Sequence, residues 1–424
     1  MTKQQAIQLL KEKYLSNMKQ DSELFVGIEL EYPIVEIYGN KTNTEVTKDL
    51  FRTLAKRSDF EVEKIDDDNN PIQLIQRNTK DRILFELSYN TIEFAFERAH
   101  SINEVSERFE EYLKVIQPIL QEQGHEIQGH GIHPQWKHND NRPVKNERYK
   151  MLMAFLAMKD TGMQTHSFPT YGAFICGNQV QLDVKRDNYI RIINAFNKIE
   201  AVKAYLFSNS EFSGAAWDTK VSRDIFWEKS LHGYFKENVG IYPKEYKSEE
   251  EFFNNLVKTA IFTATREGKS YYFKPIRVKD YLEQKEIKAY SADGNEKNIK
   301  PMKEDLKQHR SYQFQDLTAR GTVELRSVCT QSLETTFAPI AFELGLFVQL
   351  EKLENYLKSC TFFEKEKPDY RELRKKYSKK VLSNEEKEII QSISRDLIDI
   401  ARKGLIKRNF GEEKFLVINK ELDL

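Results

Sequence analysis

Several features are scarce in this sequence of 424 residues, and each absence excludes a class of protein. Its three cysteines, Cys176, Cys329 and Cys360, are too few and too scattered for a disulfide framework or a thiolate metal site. No excess of charge exists either, because 66 basic residues balance 66 acidic residues. A net charge near zero argues against a wide basic surface for nucleic acid or for an anionic membrane.

Long apolar runs are also missing. The most apolar window, residues 337–350, contains Glu343 and is too short to span a bilayer. The first residues fit an amphipathic helix with Ile7, Leu10 and Tyr14 on one stripe, and they do not resemble a secretory signal. We therefore expect a cytoplasmic protein without nucleic-acid or membrane partners. No feature of the sequence indicates its oligomeric state.

Glycine is sparse, with 17 residues, and no glycine-rich phosphate loop is found. The segment Gly268-Lys269-Ser270 resembles the end of a P-loop, but the glycine required five residues earlier is Thr263. A bound nucleotide would therefore need its phosphates held by metal ions on carboxylates.

Strand and helix patterns alternate without the regular rhythm of a parallel α/β sheet. Strand patterns cover residues 25–38, two short segments within 84–96, 174–184 and 321–328. A capping box at Ser101 and Glu104 opens a long amphipathic helix. These patterns predict an α+β fold with a curved, largely antiparallel sheet and flanking helices.

The first strand contains Glu29 and Glu31, two residues apart. Side chains alternate along a strand, so both carboxylates point the same way with Cβ atoms roughly 7 Å apart. At that distance two anions repel by about 2 kcal/mol at an effective dielectric near 20. An isolated Glu-x-Glu is usually just the solvated face of a strand.

Three further acids in strand segments change that interpretation. Glu86 and Glu93 interrupt apolar segments, and Glu324 shares a strand face with Arg326. Carboxylates inside apolar strands are costly unless they are paired or bound to metal. Mg²⁺ prefers oxygen ligands, and the planar guanidinium of arginine matches phosphate oxygens. The pattern therefore predicts a magnesium–phosphate site.

Four histidines, at positions 125, 130, 133 and 138, offer a competing zinc site. His130-Gly-Ile-His133 precedes a proline and lacks the helical HExxH context. We therefore expect these histidines to shape a loop or to contact substrate, with zinc as the alternative.

From about residue 25 to residue 335, the order and spacing of the motifs resemble those of the glutamate–cysteine ligase family, above all its type-2 plant and bacterial members. Gly27-Ile-Glu29-Leu-Glu31 is similar to the family's Gly-x-Glu-x-Glu motif, and Phe85-Glu86-Leu87-Ser88 with Glu93 is similar to its second acidic block. The remaining matches are Gly131-Ile-His-Pro134-Gln-Trp136, Arg148-Tyr149-Lys150, Gln179-Val180-Gln181-Leu182-Asp183, Ser222-Arg223 with Trp227, and His309 before Glu324-Leu-Arg326.

The resemblance implies a glutamine-synthetase-like catalytic fold, whose curved antiparallel sheet carries the acids on its concave face. It implies ATP and Mg²⁺ as cofactors, with the metal on Glu29, Glu31, Glu86, Glu93, Glu324 and the neutral Gln181. It implies Arg326 and Arg223 as catalytic residues that stabilise the transferred phosphoryl group. It also implies nucleotide or substrate contacts from His309 and Gln179.

The function implied by the resemblance is ATP-dependent ligation of the γ-carboxylate of L-glutamate to the amine of L-cysteine. The reaction would pass through γ-glutamyl phosphate and give γ-glutamylcysteine, ADP and phosphate, a step of glutathione biosynthesis. Two departures from the family pattern, Gln181 and the segment after Arg223, leave open another amine or a peptide N-terminus as acceptor. A kinase of the same superfamily would differ because its phosphate release would not depend on an added amine.

We expect residues 1–360 to form the ligase catalytic domain. Residues 361–424 are rich in lysine and glutamate, and a capping box at Ser383 and Glu386 predicts a helix to about Arg402. The prediction for this segment is a peripheral helical C-terminal appendage.

Overall fold

The computed structural model describes residues 2–19, 23–364 and 369–418. In these ranges the chain forms 15 strands. They are β1 (Val26–Glu36), β2 (Phe60–Ile65), β3 (Pro71–Gln76), β4 (Arg82–Phe85), β5 (Thr91–Ala95), β6 (His125–Ile127), β7 (Gly177–Asp183), β8 (Val239–Gly240), β9 (Ala260–Arg266), β10 (Lys269–Arg277), β11 (Ile287–Ser291), β12 (Glu296–Ile299), β13 (Tyr312–Gln313), β14 (Gln315–Leu317) and β15 (Thr322–Cys329).

The α-helices of the same ranges are α1 (Lys3–Leu15), α2 (Thr44–Ala55), α3 (Ile102–Gln121), α4 (Glu147–Leu156), α5 (Tyr189–Lys198), α6 (Glu200–Phe207), α7 (Ser222–Glu228), α8 (Glu249–Leu256), α9 (Val278–Tyr281), α10 (Ala338–Val348), α11 (Leu350–Ser359), α12 (Thr361–Glu364), α13 (Tyr370–Tyr377) and α14 (Asn384–Arg408). Within the described ranges, no single helix is long and apolar enough to cross a membrane. One bent pair, Leu333–Val348 with Leu350–Ser359, meets the criteria by length and composition only.

Nine strands form the main sheet, in the order β14-β15-β7-β1-β5-β4-β3-β2, with β6 paired to β1. All of these pairings are antiparallel, which confirms the predicted sheet type. In this register Glu31 lies opposite Glu93, and Gln181 lies opposite Glu324. Because side chains alternate along each strand, these polar residues share one face of the sheet.

The other face of the main sheet is apolar and forms the core. Ile28, Leu30, Val180 and Leu325 are buried in one cluster with side chains of the flanking helices. Helix α6 packs against β15, and α10 packs against β7. Helices therefore cover this face, which leaves the polar face for a site.

A second, four-stranded antiparallel sheet has the order β12-β11-β10-β9. A two-residue turn, Glu267-Gly268, joins β9 to β10, and both residues have positive φ values of 52° and 77°. Such a turn matches the twist of a β-hairpin. The segment Gly268-Lys269-Ser270 therefore contains the second residue of this turn and the first two residues of β10.

The helices beyond residue 360 pack into the main core. The predicted capping box at Ser383 and Glu386 is present, and it starts α14. Apolar residues of α14, such as Leu397 and Leu405, belong to the same buried cluster as the main sheet. These helices are thus an integral layer of the fold, while the division of the chain at residue 360 stays a prediction.

Helices α10 and α14 approach each other closely at Gly345 and Gly404. A Cβ atom at Gly404 would lie 2.0 Å from the carbonyl oxygen of Gly345. We therefore expect Gly404→Ala to lower the free energy of unfolding by about 1–3 kcal/mol, because the helices must move apart. Arg402→Ala, on the exposed side of α14, is the control and should change this free energy by less than about 0.5 kcal/mol. Urea denaturation of both variants tests the prediction, and equal midpoints would contradict it.

Candidate active site

A cavity of about 910 Å³ lies over the polar face of the main sheet. Its volume falls within the range of small-molecule sites, roughly 300–1,000 Å³. The strand acids form one wall, and Ile261 and Thr263 of β9 contribute to the cavity from the second sheet. A group of aromatic residues also lines it: Tyr171, Trp227, Phe262 and Tyr312.

The five predicted acids all line this cavity. Burial and the neighbouring Glu324 carboxylate raise the pKa of Glu29 to about 7. Burial and the charge of Glu86 raise the pKa of Glu31 to about 7. Burial also raises the pKa of Glu93 well above its usual range, with further contributions from Glu86, Glu29 and Glu31. The carboxylates therefore repel one another, and a bound cation would relieve this repulsion.

A strained turn holds Glu86 beside Glu93. The next residue, Leu87, has a φ of 57°, in the left-handed region that bulky side chains rarely adopt. The Thr91 hydroxyl donates to the Glu86 carbonyl oxygen, and the Ser88 hydroxyl donates to Ala173 O at 2.8 Å. These bonds stabilise a backbone conformation that is typical of functional sites.

Two glutamines of β7 lie between the acids. Gln179 Nε2 donates to Glu31 Oε1 at 2.9 Å. Gln181 Nε2 donates to Glu29 Oε1 at 3.0 Å and to Glu324 Oε1 at 3.1 Å. Both amides thus donate hydrogen bonds to carboxylates, and the Gln181 amide connects two of them. A metal ligand would have to be the Gln181 amide oxygen, so its role as a ligand stays a prediction.

Arg223 and Arg326 enter the cavity from different elements, α7 and β15. Arg223 Nη1 donates to Val328 O at 2.6 Å, and Arg326 Nη1 lies 3.5 Å from Glu324 Oε2. Among the described residues, Arg223 Nε and Arg326 Nη1 are buried donors without a hydrogen-bond partner. Each guanidinium therefore keeps a donor for an anionic ligand.

Gly177 makes room for the Arg223 guanidinium. A Cβ atom at this position would lie 2.2 Å from Arg223 Nη2, which is closer than any real contact. The backbone N–H of Gly177 also donates to Glu31 Oε2 at 2.7 Å. The absence of a side chain at Gly177 therefore allows Glu31 of β1 and Arg223 of α7 to approach the start of β7 together.

His309 lines the cavity, but both of its ring nitrogens have partners. The Tyr14 hydroxyl lies 2.9 Å from Nδ1, and the Thr259 hydroxyl lies 2.7 Å from Nε2. Burial, with a smaller effect of Lys13, lowers the pKa of His309 to about 3, so the ring is neutral near pH 7. Its polar atoms connect α1 to the start of β9, and a nucleotide contact stays a prediction.

The structure adds charged residues that the motifs did not reveal. Arg310 lines the cavity with its guanidinium 5.0 Å from the centre of the Tyr312 ring. Burial opposes its charge, but Tyr312 and Glu324 raise the pKa of Arg310 above its usual range overall. Asp316 lies opposite Glu324 in the sheet, and burial raises its pKa to about 7. Neither residue belongs to the motifs used in the sequence analysis. Arg310 is, however, the residue directly after His309, which does.

An aromatic side of the cavity surrounds His232. Its Nδ1 lies 2.9 Å from the Tyr171 hydroxyl, and in the described part of the chain its buried Nε2 has no partner. The rings of Tyr312 and Trp227 lie 4.3 Å and 4.9 Å from the His232 ring. Burial lowers the pKa of His232 to about 3, so its ring is neutral near pH 7, while the guanidinium groups of Arg310 and Arg326 lie over the Tyr312 ring.

The histidine cluster has structural contacts. His133 is buried, and its Nε2 lies 3.0 Å from Ile34 O. His125 Nε2 accepts from the backbone N–H of Asn43 at 3.0 Å. Within the described ranges, no group of three or more His, Cys, Asp or Glu side chains is arranged to hold a metal ion.

The acids nevertheless fit Mg²⁺ by their chemistry. Mg²⁺ is commonly bound by one or two carboxylates, with phosphate oxygens and water completing its shell, and so does not require a closed protein site. The carboxylates that line the cavity offer such oxygen ligands in pairs, for example Glu31 with Glu93 and Glu29 with Glu324.

Comparisons with known proteins show which family the chain resembles in sequence. The model of glutamate–cysteine ligase family 2 matches residues 25–414. No curated protein sequence matches significantly. One similar solved structure is a glutamate–cysteine ligase from Francisella tularensis in complex with AMP, with 13% identity, a TM-score of 0.40, and coverage of 94% of this chain and 87% of that chain. Another is a bifunctional glutathione synthetase from Pasteurella multocida, with 10% identity and a TM-score of 0.39, covering 97% of this chain and 48% of that chain.

Proposed function

The chain belongs to glutamate–cysteine ligase family 2, a family of ATP-dependent γ-glutamyl ligases, and we propose that it joins the γ-carboxylate of L-glutamate to the amine of L-cysteine. One observation carries this proposal: five carboxylates and two arginines, each with a buried N–H group that makes no hydrogen bond, line a single cavity. The alternative acceptors are another amine or a peptide N-terminus. The cytoplasmic location expected from the sequence is part of the same proposal.

The reaction must solve two chemical problems. A carboxylate does not condense with an amine in water, because hydroxide is a poor leaving group. In the proposed reaction, a γ-carboxylate oxygen attacks the terminal phosphorus of ATP, and ADP leaves. The amine then attacks the carbonyl carbon of the γ-glutamyl phosphate, loses a proton, and expels phosphate. Both substrates of the first step are anions, so the site must neutralise negative charge.

The residues of the cavity suit this need. Arg223 and Arg326 each have an N–H group that makes no hydrogen bond in the protein. These groups can donate to the phosphoryl oxygens in the transition state, where negative charge develops. Mg²⁺ held by Glu29, Glu31, Glu86, Glu93 and Glu324 would neutralise the phosphates of ATP. Gln179 holds Glu31 in place, and Arg326 Nη2 in turn donates to Gln179 Oε1 at 3.3 Å. The acids and one arginine are therefore connected before any ligand binds.

Nucleotide binding should depend on metal. We expect millimolar ATP with Mg²⁺ to raise the melting temperature by several degrees, because a ligand at a hundred times its Kd adds about 2.7 kcal/mol of stability. ATP with EDTA should give little or no gain, because the triphosphate would then face uncompensated carboxylates. Mg²⁺ without nucleotide is the control for metal binding alone. An unchanged melting curve in millimolar MgATP would contradict the proposal.

The acceptor is tested by the amine dependence of ADP release. We expect the highest kcat/KM for L-cysteine, with 2-aminobutyrate slower but active, because an apolar pocket discriminates such small changes by only about 1–3 kcal/mol. Tyr171 and Trp227 line the cavity and can form that pocket, whereas Phe174 is buried beside them in the same apolar cluster. Alanine, larger amines and a short peptide complete the panel, with products identified by mass.

The acceptor panel tests the identity of the acceptor amine and the ligase activity separately. If cysteine gives no ADP release above the background with glutamate alone while another amine does, the cysteine assignment is wrong and ligation stands. If no amine stimulates ADP release, the proposed ligation is wrong.

A further inference from the structure

Arg374 is a buried residue of α13, in the segment beyond residue 360, and it does not line the cavity. Its side chain is only 3% exposed, and each of its three guanidinium nitrogens donates a hydrogen bond. Nε and Nη2 donate to the two carboxylate oxygens of Asp224, at 2.6 Å and 3.1 Å. Nη1 donates to Glu200 Oε2 at 2.5 Å, and Nη2 also donates to Ser327 O at 3.1 Å.

Two of these partners are chain neighbours of the proposed catalytic arginines. Asp224 follows Arg223 on α7, and Ser327 follows Arg326 on β15. A single guanidinium therefore connects the two backbone segments that carry Arg223 and Arg326. A bidentate arginine–carboxylate pair fixes orientation as well as distance, which a point charge does not.

The strand is irregular at the same place. Between Leu325 and Val328 the register of β15 with β7 shifts, so Arg326 and Ser327 lie in a bulge. Bulges break the regular ladder of hydrogen bonds and redirect side chains, often beside active sites. Here Ser327 is held from outside the sheet, because Arg374 binds its carbonyl oxygen and its hydroxyl donates to Glu200 Oε1 at 2.9 Å.

The anchor of this arrangement is a buried charge network. Glu200 is fully buried and also pairs with Lys203 Nζ at 2.7 Å. Burial alone would raise the pKa of Glu200, but Lys203 and Arg374 hold that pKa below its usual range. A buried network of this kind is rigid only while every partner is present. The ring of Phe314, which lines the cavity, lies 4.7 Å from the Arg374 guanidinium.

We propose that Arg374 is a positioning residue that sets the placement of Arg223 and Arg326 relative to each other. Helix α13 then contributes to the arrangement of the catalytic residues through Arg374, which does not itself line the cavity. This inference rests on the proposed function, in which both arginines act on the transferred phosphoryl group.

The test compares Arg374→Lys with Arg408→Lys. Arg408 is a matched control in the same segment, because its side chain is 8% exposed and it binds Glu412 Oε2 and His100 O, each at 2.6 Å, away from the cavity. We expect kcat for amine-dependent ADP release to fall about tenfold to a hundredfold in Arg374→Lys, since a displacement near 1 Å can cost that much. The KM for ATP and the melting gain with MgATP should persist. Equal kcat values for the two variants would overturn the proposal.

A second variant covers the case in which Arg374→Lys does not fold. Asp224→Asn replaces one of the two carboxylate oxygens that accept from Arg374 with an amide nitrogen, at a partly exposed position on the cavity wall, and it should reproduce the loss of kcat. If the Asp224→Asn protein is folded with a normal kcat, the proposal is wrong. The double variant should lose little more than either single one, because both changes break the same connection.

A crystal structure of Arg374→Lys gives a readout that does not depend on activity. We expect the Arg223 guanidinium to leave Val328 O, and unchanged positions of Arg223 and Arg326 would overturn the positioning role. Absence of turnover in the unmodified protein with every amine would instead contradict the proposed function, and the crystal structure would still decide the role of Arg374.

Discussion

Replacing Arg326 with lysine is expected to lower kcat about a thousandfold while the protein stays folded, which is the size of effect seen for arginines in phosphoryl transfer. Arg326 uses one nitrogen to donate to Gln179, and its buried Nη1 makes no hydrogen bond but lies 3.5 Å from Glu324 Oε2. A lysine ammonium has one nitrogen and no planar fork, so it cannot keep the bond to Gln179 and also meet a phosphoryl oxygen in the same geometry. The measurement is single-turnover ADP formation together with the melting temperature.

Arg108→Lys is the matched control for Arg326→Lys. Arg108 is 19% exposed, against 13% for Arg326, and it pairs with the buried Asp81 at 2.6 Å outside the cavity. The control should lose stability but keep its kcat. If the folded Arg326→Lys protein turns over as fast as this control, Arg326 does not stabilise the transferred group.

Glu29→Gln should lose most of its turnover and yet be no less stable than the unmodified protein in the absence of metal. Glutamine keeps the volume of the side chain but removes the charge that would hold Mg²⁺. Burial and the Glu324 carboxylate raise the pKa of Glu29 to about 7, so its anion is unfavourable in the metal-free protein. We expect a loss of at least about a hundredfold in kcat, comparable to the loss of one electrostatic group at a transition state.

Glu29→Gln should also change how far MgATP raises the melting temperature of the protein. Its melting temperature without Mg²⁺ should equal or exceed that of the unmodified protein, while the gain with MgATP should shrink. Glu61→Gln, on the exposed edge strand β2, is the control and should change neither quantity. Near-normal turnover in the folded Glu29→Gln protein would contradict the metal role of this acid.

Local patterns in the sequence were sufficient for the strands that carry Glu29, Glu31, Glu93 and Glu324, whereas Glu86 lies just after the end of β4. The alternation of Glu29 and Glu31 with apolar residues predicted one polar face and one buried face, and β1 has both. Two short strand segments were predicted within residues 84–96, and β4 and β5 overlap that range with a turn between them. These predictions succeeded because a two-residue period and short-range capping depend only on neighbouring residues.

The site also contains residues that no local pattern could have identified. Asp316 reaches the cavity because β14 pairs with β15, Arg310 lies in the connection before β13, and Lys13 reaches the cavity because α1 packs near His309. The strained conformation of Leu87, beside Glu86, has no sequence signal either, because leucine rarely adopts a positive φ. Contacts between distant segments produce each of these features.

By itself, the sequence determined which faces of its strands are charged, that the sheet is antiparallel, and that its motifs belong to a γ-glutamyl ligase family. Only the tertiary structure decided that both arginines and all five acids line one cavity, and that Arg374 joins the segments of Arg223 and Arg326. The physical reason is the range of the interactions. Periodicity and capping act over a few residues, whereas the contacts that assemble this site, such as Gln181 with Glu324 and Arg374 with Glu200, join residues more than a hundred positions apart.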